Sequence, residues 1–189
     1  MKKTILSIAL LVVTALGAMS QEKSEAIKIS PISLLLGFAN ASYEKALGEN
    51  SSAQLRARFI FFSNNTTEFS GFGLSPEYRS YPNGALNKFY WGPVINFDSF
   101  TAKTDFDDNS LDSETNVRAL GAGLKIGMNW LLGSAENFVI DLGLGAQYLN
   151  TTLDIKIGEE DDFDLGPLEG GGVLPILNFS IGYAFDRKS

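Results

Sequence analysis

Two arginines in the stretch SSAQLRARFIFFS (51–63) are the first side chains with a spacing that could do chemistry. Arg56 and Arg58 lie two positions apart in an otherwise mostly apolar run. Side chains alternate between the two faces of a β-strand, so both guanidinium groups would share one face, opposite Leu55 and Phe59. Such a pair would bind an anionic ligand, face water, or need carboxylates to balance its charge inside a closed interior.

The composition lacks two of the residue types that most often carry out catalysis. The 189 residues contain no histidine and no cysteine. The first absence removes the commonest general base and transition-metal ligand, and the second removes thiolate chemistry and disulfide bonds. No strand places a serine beside Lys125, so a serine–lysine mechanism is not expected either. We therefore predict that the protein is not an enzyme, with no catalytic residue, no cofactor and no built metal site.

One glycine motif superficially resembles a dinucleotide-binding loop. The segment GAGLKIG (121–127) has glycine at its first, third and seventh positions, which is not the spacing of that loop. Its glycines alternate with Ala122, Leu124 and Ile126, and no helical pattern follows. The motif therefore predicts a strand with glycines on one face.

Two acidic clusters lie in connections between the apolar segments. Residues 105–114 contain five acidic side chains and residues 159–169 contain six. A calcium-binding loop that began at Asp105 would need glycine and glutamate where Ser110 and Asn116 stand. We expect solvated loops, with loose binding of divalent cations by crowded carboxylates as the alternative.

The N-terminus has the pattern of an export signal. Lys2 and Lys3 precede a short apolar stretch, and small residues at Ala18 and Ser20 suggest cleavage before Gln21. Residues 1–20 are therefore expected to be a signal peptide, and residues 21–189 the mature domain. Removing two lysines takes the net charge from −7 to −9, and this acidic balance argues against nucleic acid as a partner.

Alternating apolar and polar residues recur along the rest of the chain. Short connections at 48–52, 82–87 and 133–137 alternate with longer ones, as in outer-membrane barrels. An even strand number requires one further strand, which we assign to 26–36 with a turn at Gly37. The fold class is thus an all-β, eight-stranded antiparallel up-and-down transmembrane β-barrel. The other seven strands are expected at 38–47, 53–62, 71–81, 89–100, 117–131, 138–149 and 174–185.

One face of these strands is polar and its charges balance. Inside a narrow barrel, unpaired charges are costly, so these residues are expected to form ion pairs that close the lumen. Glu44 is expected beside the arginines of the next strand, and Glu77 beside Arg79. A narrow path for ions or small solutes is the alternative. The eight residues are Glu44, Arg56, Arg58, Glu77, Arg79, Asp98, Lys125 and Asp141.

The other face is apolar, and its aromatic residues gather near the ends of the strands that meet the short connections. This distribution is typical of the girdle where a membrane barrel meets the lipid headgroups. A soluble, lipocalin-like barrel would instead turn this face inward around a ligand. The expected girdle residues are Tyr78, Phe89, Trp91, Trp130, Phe138, Tyr183 and Phe185.

Together with the signal peptide and the acidic loops, the ending SIGYAF (180–185) resembles that of the small eight-stranded outer-membrane β-barrel family of Gram-negative bacteria. The segments SYEKAL (42–47), LSPEYRSYP (74–82) and FYWGPVINF (89–97) resemble an uncharacterised branch of that family. The resemblance implies a fold and a location in the cell outer membrane, and no defined activity. It also implies that the closing Tyr183 and Phe185 are read by the barrel-assembly machinery.

These observations predict a monomeric outer-membrane barrel with a closed lumen, acidic external loops and a structural or surface-interaction role. Its expected partners are outer-membrane lipid and lipopolysaccharide, the latter reached through divalent cations, and the barrel-assembly machinery during biogenesis. The alternatives are a narrow passive pore for small solutes and a soluble periplasmic ligand-binding barrel.

Overall fold

A computed structural model describes residues 23–63, 67–104, 113–157 and 171–186. The expected signal peptide and most of both acidic clusters lie outside these ranges. Eight strands and one short helix, α1 (Pro31–Leu35), make up the described chain. The strands are β1 (Glu25–Ile29), β2 (Phe38–Gly48), β3 (Ser51–Ser63), β4 (Thr67–Ser80), β5 (Lys88–Thr104), β6 (Ser113–Leu132), β7 (Phe138–Ile157) and β8 (Gly172–Phe185).

The strands form one closed antiparallel barrel. Each strand pairs with the next along the chain, and β1 closes the ring by pairing with β8, from Glu25 opposite Phe185 to Ile29 opposite Ile181. The expected eight-stranded, antiparallel up-and-down barrel is confirmed, including the strand that only the even number required.

The expected first strand at 26–36 is wrong beyond Ile29. Pro31 begins α1 instead, because proline lacks the backbone N–H that a strand ladder needs and suits the first turn of a helix. Gly37 then reverses the chain into β2 with a φ of 83°, a conformation that glycine adopts freely. The expected strands at 117–131 and 138–149 are too short, since β6 begins at Ser113 and β7 ends at Ile157.

The barrel has two distinct ends. At the short-turn end, residues 49–50, 81–87 and 133–137 connect the strands, and β1 begins and β8 finishes there. At the opposite, long-loop end, α1 joins β1 to β2, and residues 64–66, 105–112 and 158–171 make the remaining connections.

The two faces of the wall are as the alternation predicts. On β3, Leu55 and Phe59 are exposed on the outside, while Gln54 and Arg56 are buried inside. The same alternation continues on β4 through β7. No helix among the described residues is long and apolar enough to cross a bilayer.

Candidate functional site: the barrel interior

All eight charged residues that the alternation places on the polar face point into the barrel. Six of them are at least nine-tenths buried, and Arg58 and Asp98 keep 27% and 12% of their side chains accessible. Lys28 on β1 joins them as a ninth charged residue that the sequence analysis did not include. Its alternation with Ile27 and Ile29, both exposed, is the signal that would have placed it inside.

Six buried residues form what is here called the charged layer: Lys28, Glu44, Glu77, Arg79, Lys125 and Asp141. Arg79 on β4 is at its centre. Its Nε donates to Glu77 Oε1 at 2.7 Å, and its Nη1 lies 2.8 Å from Asp141 Oδ2 and 3.0 Å from Glu44 Oε2. Its side chain is fully buried, so these charge-assisted bonds are formed away from water. One guanidinium group thus joins carboxylates from three strands.

Two lysines complete this layer. Lys28 Nζ bonds Asp141 Oδ2 at 2.8 Å and also contacts Glu44, while Lys125 on β6 contacts Glu77. Three cations therefore meet three carboxylates, and the charged layer is electrically neutral. The predicted pairing of Glu77 with Arg79 is present at these distances.

Two tyrosines brace the charged layer from β5 and from the turn after β4. Tyr90 Oη donates to Asp141 Oδ1 at 2.8 Å, and the Arg79 guanidinium carbon lies 4.1 Å from the centre of the Tyr90 ring. Tyr81 Oη donates to Glu44 Oε1 at 2.7 Å. Burial raises the pKa of the Tyr81 phenol well above its ordinary value, and the Glu44 carboxylate adds to this rise, so the phenol remains a donor.

The partners expected for Arg56 and Arg58 are wrong. Arg56 Nη2 donates to Asn178 Oδ1 at 2.7 Å, and Arg58 Nη1 pairs with Asp98 Oδ1 at 2.8 Å. Glu44 bonds Lys28 and Arg79 instead of the arginines of its neighbouring strand. The arginines reach across the lumen to partners on strands that are not adjacent to their own, whereas Lys28 and Glu44 lie on the adjacent strands β1 and β2.

Glycines make room for this filling. A Cβ atom on Gly143 would lie 2.7 Å from Tyr90 Oη, well inside van der Waals contact. Gly127, opposite Gly143 on β6, also faces Tyr90. The glycines of the GAGLKIG segment are therefore strand glycines, as expected. Gln147 occupies the space beside Gly121 and Gly123, and Tyr90 occupies the space beside Gly127.

A cluster of buried apolar side chains, here called the plug, occupies the short-turn end beneath the charged layer. The turn between β4 and β5 inserts Leu86, fully buried, against Ala26, Val139 and Ala184. Leu86 has a φ of 62°, an unfavourable backbone conformation for leucine, which its burial must offset. The composition of 82–87 predicts a turn, and the insertion of Leu86 into the interior is a finding of the structure.

The seven expected girdle residues all lie on the outer face, on the half of the wall toward the short-turn end. Tyr78, Phe89, Trp91 and Phe138 are exposed, and Trp130, Tyr183 and Phe185 are half-buried. Phe138 stands opposite Tyr183 at the end of the β7–β8 pair.

A family model described as "Protein of unknown function (DUF3575)" matches residues 6–158, most of the chain. The chain belongs to the DUF3575 family. No curated protein and no solved structure gives a significant match.

Toward the long-loop end, the interior of this DUF3575 protein changes from charged to mainly apolar. A cavity of about 470 Å³, here called the cup, is lined mainly by apolar side chains that continue the inward phase of the strands. Arg58, Asp98 and Gln147 stand among them as polar groups. The apolar lining includes Phe38, Ile60, Phe100, Val117, Leu149 and Leu174.

The alternation of the sequence predicts a polar inward face along the whole barrel, whereas the structure has an apolar lining in the cup. Ile60 follows Arg56 and Arg58 in the same phase, and Val117 precedes Gly121 in the same phase. Apolar residues in the polar phase, all toward the long connections, were the available signal. Among the described residues, no group of three or more metal-ligating side chains occurs.

Proposed function

We propose that this DUF3575 protein is a monomeric outer-membrane β-barrel with a lumen closed at its periplasmic half and a structural or surface-interaction role. The observation that carries the proposal is the outer face of the wall, which is mainly apolar, while the nine charged residues named above are inside. Leu124 is 64% exposed and Leu144 is 59% exposed, on neighbouring strands.

Such a surface is costly in water and favourable in lipid. Each fully exposed leucine or phenylalanine forgoes about 1.5–3 kcal/mol of burial free energy. Soluble monomers rarely carry contiguous apolar patches beyond a few hundred Å². A soluble periplasmic ligand-binding barrel would turn this face inward, so the exposed face favours the membrane. The long strands, such as β5 with 17 residues, also exceed the length that a tilted crossing strand requires.

The two tryptophans test this assignment directly. Trp91 and Trp130 are the only tryptophans of the chain and lie on the outer face near the short-turn end. In proteoliposomes, we expect lipids brominated near the headgroup to quench their fluorescence more strongly than lipids brominated at the chain end. Equal fluorescence with and without bromine would contradict contact between this face and lipid.

The neutral charged layer and the Leu86 plug support a closed lumen over a narrow pore. Side chains from β1, β2, β4, β5, β6 and β7 bond one another across the lumen in this layer, and Leu86 packs toward the short-turn end. We expect no steady unitary current from the wild-type protein in planar bilayers. Reproducible unitary steps would favour the second candidate, a passive pore for small solutes.

The role we propose is passive, without an enzymatic reaction. The acidic clusters 105–114 and 159–169 carry the charge that would reach lipopolysaccharide through divalent cations. We expect the purified protein to bind lipopolysaccharide in Mg²⁺ and to release it on addition of a chelator. Replacing the five acids of 105–114 by amides should weaken that binding, and unchanged binding would exclude this cluster as the contact.

A further inference from the structure

Among the described residues, the inward-facing charges of the strands do not balance once Lys28 is included. The inward-facing cations of the described strands are Lys28, Arg56, Arg58, Arg79 and Lys125, and the inward-facing anions are Glu44, Glu77, Asp98 and Asp141. The charged layer is neutral and Arg58 pairs with Asp98. The excess positive charge is therefore that of Arg56.

In the part of the chain that the structure describes, no carboxylate lies within salt-bridge distance of the buried Arg56. It is 8% exposed, its Nη2 donates to the neutral amide of Asn178, and its Nε has no hydrogen-bond partner among the described residues. Burying a cation without an anionic partner costs roughly several kcal/mol in free energy of folding. An anionic group from outside the described chain would supply the missing charge.

Two cavities lie near Arg56. On the same face of β3, Arg58 lies about 7 Å further along the strand, at the base of the cup. A second cavity, of about 680 Å³, is lined by both arginines, by Asn178, and by Ser33 and Leu36 near α1. The two arginines thus lie between the apolar cup and this second cavity.

The second cavity coincides with an interruption in the strand ladder. β1 pairs with β8 only as far as Ile181, and in the described chain residues 172–180 of β8 pair with β7 alone. α1 takes the place of a strand here, and outward-facing Leu177 and Phe179 line the cavity together with inward-facing Asn178. Arg56 therefore lies beside a cavity that reaches the outer apolar face, and Arg58, which lines both cavities, connects it to the cup.

We propose that the cup binds one single-chain anionic amphiphile, a long-chain carboxylate, with its head at Arg56 and Arg58 and its alkyl chain against the apolar lining. The cup volume lies within the range of about 300–1,000 Å³ typical of small-molecule sites, with the usual mainly apolar wall and few polar groups. The site is internal to the barrel, so the proposal goes beyond a passive membrane role and does not depend on it.

The test is a displacement titration with the folded protein in lipid nanodiscs, with empty nanodiscs subtracted. The fluorescent fatty acid cis-parinaric acid is the probe, and palmitate, hexadecanol and hexadecyltrimethylammonium are the competitors. We expect saturable binding of one probe per barrel, and displacement by palmitate at a concentration at least tenfold lower than by the other two. No saturable binding above empty nanodiscs, or equal displacement by all three, would overturn the proposal.

Two variants locate the head and the chain. Arg56→Met removes the excess charge without stranding a carboxylate, so the barrel should fold, and palmitate should bind at least tenfold more weakly with hexadecanol unchanged. Ala119→Phe fills the cup, and its neighbour Leu120→Phe, on the outer face, is the matched control. We expect Ala119→Phe to bind both palmitate and hexadecanol more weakly than the wild type, and Leu120→Phe to bind both as the wild type does. Wild-type palmitate affinity in Arg56→Met would overturn the assignment even if Ala119→Phe failed to fold.

Discussion

Arg79 Nη1 lies 2.8 Å from Asp141 Oδ2, although 62 positions separate the two residues along the chain. The first is on β4 and the second on β7, so the pair crosses the lumen rather than linking adjacent strands. Both side chains are at least 99% buried. The contact ties opposite parts of the wall together and places a neutralised charge at the centre of the barrel.

Removing the central arginine should destabilise the barrel strongly. Arg79→Met leaves Glu44, Glu77 and Asp141 with only two lysines, and breaking a buried ion pair from one side costs about 3–5 kcal/mol. The measurement is the free energy of unfolding in urea, followed by tryptophan fluorescence. Arg118→Met, on the exposed outer face of β6, is the control and should change it little. Equal losses in both variants would contradict the central role of Arg79.

The two kinds of ion pair should differ in coupling. Lys125 and Glu77 are almost completely buried, whereas Arg58 and Asp98 are partly accessible to solvent. In a double-mutant cycle built from Lys125→Met and Glu77→Gln, we expect a coupling free energy of about 2 kcal/mol. For Arg58→Gln and Asp98→Asn we expect about 0.5 kcal/mol, because water screens the pair. The reverse order would show that burial does not set the strength of these pairs.

Glycine 143 should be replaceable only when Tyr90 is shortened. Gly143→Ala places a Cβ atom 2.7 Å from Tyr90 Oη, and such overpacking costs about 1–3 kcal/mol. Tyr90→Phe removes the clashing oxygen, so the double variant should lose less stability than the sum of the two single losses. Gly48→Ala, where the nearest atom is 3.9 Å away, is the control and should be near neutral. Strict additivity of the Gly143 and Tyr90 losses would refute the contact.

The plug residue should matter despite its place in a turn. Leu86→Ala empties a fully buried position against Ala26 and Val139, which costs about 2–5 kcal/mol. Leu47→Ala removes the same atoms from a side chain that is 59% exposed, so its loss should be much smaller. The midpoint of thermal unfolding in detergent compares the two. Similar midpoints would mean that Leu86 does not close this end.

The strand number, the closure and the division into two faces could be predicted from the sequence because they depend on local alternation. The partners across the lumen could not be predicted from the sequence. Alternation shows which face carries Glu44 or Arg56, but it does not give the stagger of the strands. The end of β1 at Ile29 could not be predicted from alternation, because the stretch 26–36 remains mainly apolar beyond Pro31, where α1 begins. The cup was hidden because Ile60 and Val117 break the polar phase only near one end of the barrel.

The most direct test of the central claim is fractionation of the producing cell combined with a gel-mobility assay. If the apolar outer face contacts lipid, the protein is expected in the outer-membrane fraction and is released only by detergent. The folded barrel is also expected to migrate faster on a denaturing gel before heating than after it. Recovery in the soluble periplasmic fraction, with one mobility regardless of heating, would contradict the membrane assignment.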